Sequence, residues 1–154
     1  MGRIEDRLTE LGVQLPTPPA PVASYAPFVI TAGGLAHVSG QVSVDSKGGI
    51  KGKLGGELDL EDGQEAARLC ALNLLAQARA ACEGDLDRVR RVVKICGFVN
   101  VTPDFDAIPA VMNGCSDLMV DVFGDAGRHA RAAVGVANLP LGFAVEADAV
   151  FEIA

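Results

Sequence analysis

Residues 129–140, His129-Ala130-Arg131-Ala132-Ala133-Val134-Gly135-Val136-Ala137-Asn138-Leu139-Pro140, and residues 143–153, Phe143-Ala144-Val145-Glu146-Ala147-Asp148-Ala149-Val150-Phe151-Glu152-Ile153, decide the fold. Between them stands the turn pair Leu141-Gly142. The Arg131–Ala137 run is small, apolar and Val-containing, and Ala144–Ile153 alternates between apolar and acidic positions. Both patterns predict strands, joined by a Pro/Gly turn. Each carries a charge that a burying strand does not favour: Arg131 opens the first, and Glu146 comes early in the second. A guanidinium flanked by alanines too small to shield it is a planar fork suited to a carboxylate.

At 154 residues the chain is long enough for one compact domain with a sizeable core. Hydrophobic residues make up 49% of it with only 5% aromatics and no Trp, so that core is built from Ala, Val and Leu. A net charge of −7 argues against nucleic acid, because phosphate binding needs a basic footprint. The four cysteines, Cys70, Cys82, Cys96 and Cys115, lack CxxC spacing and read as buried, reduced thiols. Two histidines, His37 and His129, offer no metal cluster, so neither metal nor cofactor is expected. With no signal peptide and no membrane-spanning stretch, the expected location is a reducing cytoplasm.

Taken in order, Arg3–Gly12 has Ile4, Leu8 and Leu11 on one face, which predicts a short amphipathic helix. Leu15–Pro27 holds five prolines and reads as an extended strap ending near Tyr25, the single tyrosine. Phe28–Thr31 and Leu35–Ser39 flank Gly33-Gly34 as a hairpin, running on into Ser39-Gly40-Gln41-Val42. Gly40 lacks a Cβ and so permits close approach of a ligand, and Ser39 offers a hydroxyl. A nucleophile elbow there would need Gly at the place of His37. Asp45–Gly56 reads as a flexible loop; its Gly48–Lys53 run fails as a phosphate cradle because Leu54 stands where Ser or Thr is required. Leu60–Cys82 is the longest helix, capped by Asp59 and ended by Gly84. Val89–Val101 is a strand whose Arg90, Arg91 and Lys94 decorate a solvated side. Phe105–Phe123 is a second long helix with Ile108, Val111, Met112, Cys115, Leu118, Met119 and Val122 inward, Pro109 near its start and Gly124 at its end.

The order after the N-terminal helix and strap (residues 1–27) is thus β-β-α-β-α-β-β, a single α+β domain over 1–154. A mixed sheet is covered on one face by two helices. No third helix remains for the other face, so symmetric association is expected to cover it.

The run Ala-Arg-Ala-Ala-Val-Gly-Val at 130–136, then Asn-Leu-Pro-Leu at 138–141, then Val145-Glu146, resembles the C-terminal signature of the RidA/YjgF family. Ser39-Gly40-Gln41 resembles that family's Ser-Gly-Gln segment. The resemblance, to a subgroup with an N-terminal extension, implies a chorismate-mutase-like homotrimer with a central barrel and ligand clefts between subunits. A purely local reading pairs the last two strands as a hairpin, with Arg131 opposite Glu146. The family topology instead inserts the final strand in the middle of the sheet, and that topology is the one expected.

The family's enamine/imine deaminases suggest the chemistry. Hydrolysing a 2-aminoacrylate-type intermediate to a 2-oxo acid plus ammonia needs a carboxylate anchor, a positioned water and a proton carrier. Arg131 suits the anchor, and Glu146 suits the water and the proton. The resemblance further implies Tyr25, Ser39, Gly40, Asn113 and the backbone near Ala133 as substrate-binding positions. Many members carry Cys where this chain has Ala133, so thiol chemistry is out at that position. Two other classes compete: a non-catalytic trimer that binds small carboxylates or a partner protein, and the endoribonuclease with which the family has also been associated. The acidic balance and the lack of a histidine pair disfavour the ribonuclease. For Arg131 and Glu146 themselves, the bland reading is a salt bridge or strut between strands.

Overall fold

The computed structural model describes residues 2–154. After helix α1 (Arg3–Glu10) and an irregular strap come strands β1 (Phe28–Ile30) and β2 (Leu35–Val42), helix α2 (Leu60–Ala81), strand β3 (Val89–Asn100), helix α3 (Ile108–Phe123), and strands β4 (Ala130–Val136) and β5 (Val145–Ile153). The five strands form one mixed sheet in the order β1-β2-β5-β3-β4. β5 lies antiparallel to both β2 and β3, while β4 runs parallel to β3. The last two strands are therefore not a hairpin. Each finds a partner in β3, and the chain crosses β3 to bring β5 into the middle.

β5 occupies the centre because its pattern suits that place. Val145, Ala147, Ala149, Phe151 and Ile153 are buried, and the four residues between them are only half-buried. A period of two puts the first set under the helices and the acidic set on the opposite face. α2 lies over β5 and β2, and α3 lies over β4 and β3. The other face of the sheet has no covering element among the described residues. Val29 and Val134 stand 59% and 48% exposed on it.

α2 starts with a capping box, in which the Asp59 carboxylate accepts from the Asp62 amide at 2.9 Å and the Asp59 amide donates to the Asp62 carboxylate at 3.0 Å. Its buried stripe of Ala66, Ala67, Cys70, Ala71, Leu74 and Ala78 is mostly alanine, which lets helix and sheet approach closely. At Gly114 on α3 a Cβ would collide with the backbone of Gln64, so only glycine allows the α2–α3 crossing. α1 packs its buried Ile4 and Leu8 against α3, outside the two main helices. Its N-terminal amides are capped from a distance: the Asp87 carboxylate accepts from Arg3 and Ile4, each at 2.8 Å. Those bonds hold the Asp87 carboxyl below its usual range.

Two expectations need correction. α3 starts at Ile108 rather than Phe105. A start at Phe105 would place Pro109 where its missing N–H breaks a bond to the Phe105 carbonyl, and the later start leaves the proline in the first turn. The Asp45–Gly56 segment, read as a flexible loop, is pinned throughout. The Asp45 carboxylate accepts from the Lys47 and Gly49 amides, the Ile50 amide donates to the Ser43 carbonyl, and Leu54 is fully buried. Leu54 stands there because the position belongs to the core. No described helix is long and apolar enough to cross a membrane.

Candidate functional site

Two clusters of polar side chains stand out, and they lie on opposite faces of the sheet. The first is built on β4 and α3. Arg131 is paired in register with Ile95 of β3, a buried residue of the helix-covered face, so its side chain rises toward α3. Its Nη1 donates to Asn113 Oδ1 at 2.9 Å and to Ser116 Oγ at 3.2 Å, and Nη2 donates to the Pro109 carbonyl at 3.3 Å. Asn113 and Ser116 share a helix face because they are three residues apart. All three acceptors are neutral, and among the described residues no carboxylate forms an ion pair with Arg131. Three of the five guanidinium donors are used. Two remain, the number a bidentate carboxylate takes.

Behind Arg131 stands His129. Its Nδ1 lies 2.6 Å from the Gly127 carbonyl, and its Nε2 lies 2.9 Å from Ser116 Oγ. A carbonyl only accepts, so Nδ1 carries a hydrogen. In the neutral ring Nε2 then accepts from the Ser116 hydroxyl, which leaves Ser116 Oγ a lone pair for Arg131. The chain from Gly127 through His129 and Ser116 thus fixes one edge of the guanidinium. Cys115, on the same helix, is fully buried, and burial pushes its thiol up to about 12 although Arg131 pulls the other way. It is inert as a nucleophile.

The second cluster is built on β2, β5 and the strap. Glu146 is opposite Val42 on one side and Phe98 on the other, on the uncovered face. Its carboxylate lies against the Cα of Gly40, where a Cβ would collide with Oε1. Burial raises the Glu146 carboxyl above its ordinary range, and the negative Asp148 two residues on adds to the rise. Asp148 is raised as well, again chiefly by burial. Glu146 and Asp148 thus place two carboxyls on one strand face, both easier to protonate than usual.

Glu146 opens into a cavity of about 710 Å³ between the strap and the Pro140–Phe143 turn. Tyr25, Ser39 and Gly40 line it as well. The strap is tied down at both ends. Buried Gln77 of α2 donates to the Pro19 carbonyl at 2.9 Å, and the Ser39 hydroxyl donates to the Ala26 carbonyl at 2.6 Å.

The match to known proteins is extensive. The family model described as YjgF/chorismate mutase-like, putative endoribonuclease, matches residues 5–146. The chain belongs to the YjgF/RidA family. It is 50% identical over 154 residues to Protein TCP17 of Trypanosoma cruzi, covering 99% of this chain and 95% of that one. A crystal structure from Agrobacterium tumefaciens superposes with a TM-score of 0.89 at 49% identity, covering 98% of this chain and 93% of the other. The crystal structure of RidA from the Antarctic bacterium Psychrobacter sp. superposes at 0.59 with 27% identity, covering 89% and 94% respectively.

In this YjgF/RidA-family chain, the residues singled out from the sequence divide between the two clusters. Tyr25, Ser39, Gly40 and Glu146 meet at one cavity. Asn113 and Arg131 meet on the other side of the sheet, with Ala133 two positions along β4 on the same face as Arg131. The groups are not brought together within one chain. β3 separates β4 from β5, which puts them two strand spacings, about 10 Å, apart. Two readings change in detail. Ser39 spends its hydroxyl proton on the strap, and the space left by the missing Cβ of Gly40 is taken by Glu146 rather than left for a ligand. Within one chain Arg131 and Glu146 lie on opposite faces and form no salt bridge. Ser116 and His129 went unnoticed in the sequence as partners of Arg131, although the Asn113–Ser116 spacing on a helix was a signal available there.

Proposed function

We propose that the protein is an enamine/imine deaminase, hydrolysing 2-aminoacrylate-type intermediates to 2-oxo acids and ammonia. The working unit is a homotrimer, in which Arg131 of one copy faces the Glu146 cavity of the next. The observation that carries this reading is the separation itself. A guanidinium with two spare donors, on the edge strand β4, and a carboxyl poised to hold a proton lie on opposite faces of one chain. A site that uses both therefore takes its Arg131 from the β4 edge of a neighbouring copy set beside the Glu146 cavity.

The reaction needs little more. The substrate carboxylate bonds the free edge of Arg131 in parallel, each charge-assisted bond contributing about 1.5–3 kcal/mol. Water adds to the imine carbon while Glu146 accepts its proton. In the resulting carbinolamine the same carboxyl returns that proton to nitrogen. As the C–N bond breaks and ammonia leaves, the hydroxyl gives its own proton back to the Glu146 carboxylate and the carbonyl forms. A group that must both take and give a proton works best with an affinity nearer neutrality than an exposed carboxylate has, and burial moves Glu146 that way. Imine hydrolysis is already facile in water, so positioning and proton transfer suffice.

The test is hydrolysis of 2-iminopropanoate generated by an amino-acid oxidase, followed by semicarbazide competition. Arg131→Ala is expected to lower kcat/KM by about 100-fold or more with the fold and assembly intact. Undiminished turnover contradicts the anchoring role. A ribonuclease reading has less support, since a chain of net charge −7 lacks the basic footprint RNA requires.

A further inference from the structure

The cavity beside Glu146 is larger than a three-carbon imino acid needs. At 710 Å³ it falls among sites for drug-sized molecules, which span about 300–1,000 Å³. Its walls are apolar. Pro19, Pro21 and Val22 of the strap form one side, and Pro140, Leu141 and Phe143 form the other.

The polar groups around it are largely committed elsewhere. The Ser39 hydroxyl is spent on the Ala26 carbonyl, and Gln41 Nε2 donates to the Ser39 carbonyl at 3.0 Å. Apart from Glu146, no charged side chain lines the space. A second carboxylate placed there would lie beside Glu146, with the neighbouring copy's Arg131 already engaged by the substrate's first carboxylate.

A second observation points the same way. Leu141 holds a left-handed backbone conformation (φ 57°, ψ 15°), which an L side chain rarely adopts. Its side chain is 73% exposed at the cavity mouth. Burial in the core therefore does not explain the strain, and strain of this kind gathers at ligand clamps. Val22, 86% exposed on the strap, faces the same opening.

We infer that the strap and the Leu141 turn select a substrate with a bulky apolar side chain, branched or aromatic, over alanine-derived or acidic ones. This rests on the deaminase reading, with the imine carbon at Glu146 and the side chain directed between the two walls. It makes Leu141 a specificity-determining residue and gives the strap a role in recognition.

The experiment compares kcat/KM for imines generated by oxidases from leucine, phenylalanine, alanine and glutamate. The leucine- and phenylalanine-derived imines are expected to exceed the alanine-derived one by about tenfold or more, about tenfold being the low end for one methylene in an apolar pocket, and the glutamate-derived one by a larger margin. Leu141→Gly, which suits the left-handed backbone and so spares the fold, is expected to collapse that preference to within about threefold. Equal or better turnover of the alanine- or glutamate-derived imine overturns the assignment while leaving the deaminase reading in place. If no imine is hydrolysed, calorimetry with 4-methyl-2-oxopentanoate and pyruvate decides. Tighter binding of the former keeps the cavity assignment and drops the deaminase, and no preference overturns both.

Discussion

The Arg131 cluster and the Glu146 cavity are built on opposite principles. Arg131 is held by three neutral acceptors on α3, with a serine–histidine chain behind one of them, and none of these cancels its charge. Glu146 sits against bare backbone at Gly40, in an apolar cavity, with Asp148 as its charged neighbour. The first is a cation given direction without being neutralised. The second is a carboxyl made uncomfortable as an anion. Orientation without neutralisation suits a group that must bind a charge, and discomfort as an anion suits a group that must exchange a proton. Neither arrangement is one that stability alone would favour.

That contrast can be broken from the carboxyl side first. Glu146→Gln keeps the shape and removes the proton carrier, so kcat should fall by about 100-fold, with KM changed far less than by Arg131→Ala. If instead KM rises and kcat holds, Glu146 is a binding group and the contrast fails. Gly40→Ala tests the same carboxyl indirectly. The new Cβ meets the far end of a flexible side chain, so the fold should survive while Glu146 is pushed from its place, and kcat should drop about tenfold. Wild-type turnover in that variant means the seat on Gly40 is incidental.

The smallest effect is on stability. Because the folded-state affinity of Glu146 for a proton is raised, the ionised carboxylate is disfavoured by folding. Stability is therefore fully present at and below the ordinary carboxylate range and is lost as pH rises through the raised value. Glu146→Gln should flatten that limb, and its thermal midpoint at neutral pH should equal or exceed that of the unaltered chain. A lower midpoint across the whole pH range would mean the carboxylate is a structural group after all.

Much of this was legible in the residues. The alternation in Val145–Ile153 named the buried and the acidic faces of β5 correctly, and Asp59 announced the start of α2. The apolar stripe of α3 was read residue by residue, with Ile108 alone left only half-buried. The position of β5 was not legible locally, since nothing in Arg131–Ile153 distinguishes a hairpin from two strands that both pair with β3; the family resemblance supplied that. Partnerships between distant segments were also hidden. Gln77 tying the strap at Pro19, Asp87 capping α1, and Lys53 reaching Asn100 and the Ala137 carbonyl all depend on tertiary closure, which a one-dimensional pattern does not record. The pairing of Ser116 with His129 belongs to the same class, being made by β4 laying its first residues beside α3.

The central claim is that anchor and proton carrier come from different copies of the chain, and co-assembly of two inactive variants tests it most directly. Arg131→Ala and Glu146→Gln chains, refolded together in equal amounts, should recover about a quarter of unaltered activity, because random cyclic mixing pairs an intact Arg131 with an intact neighbouring Glu146 in one site of four. Recovery absent from mixtures that demonstrably contain both chains would contradict the account.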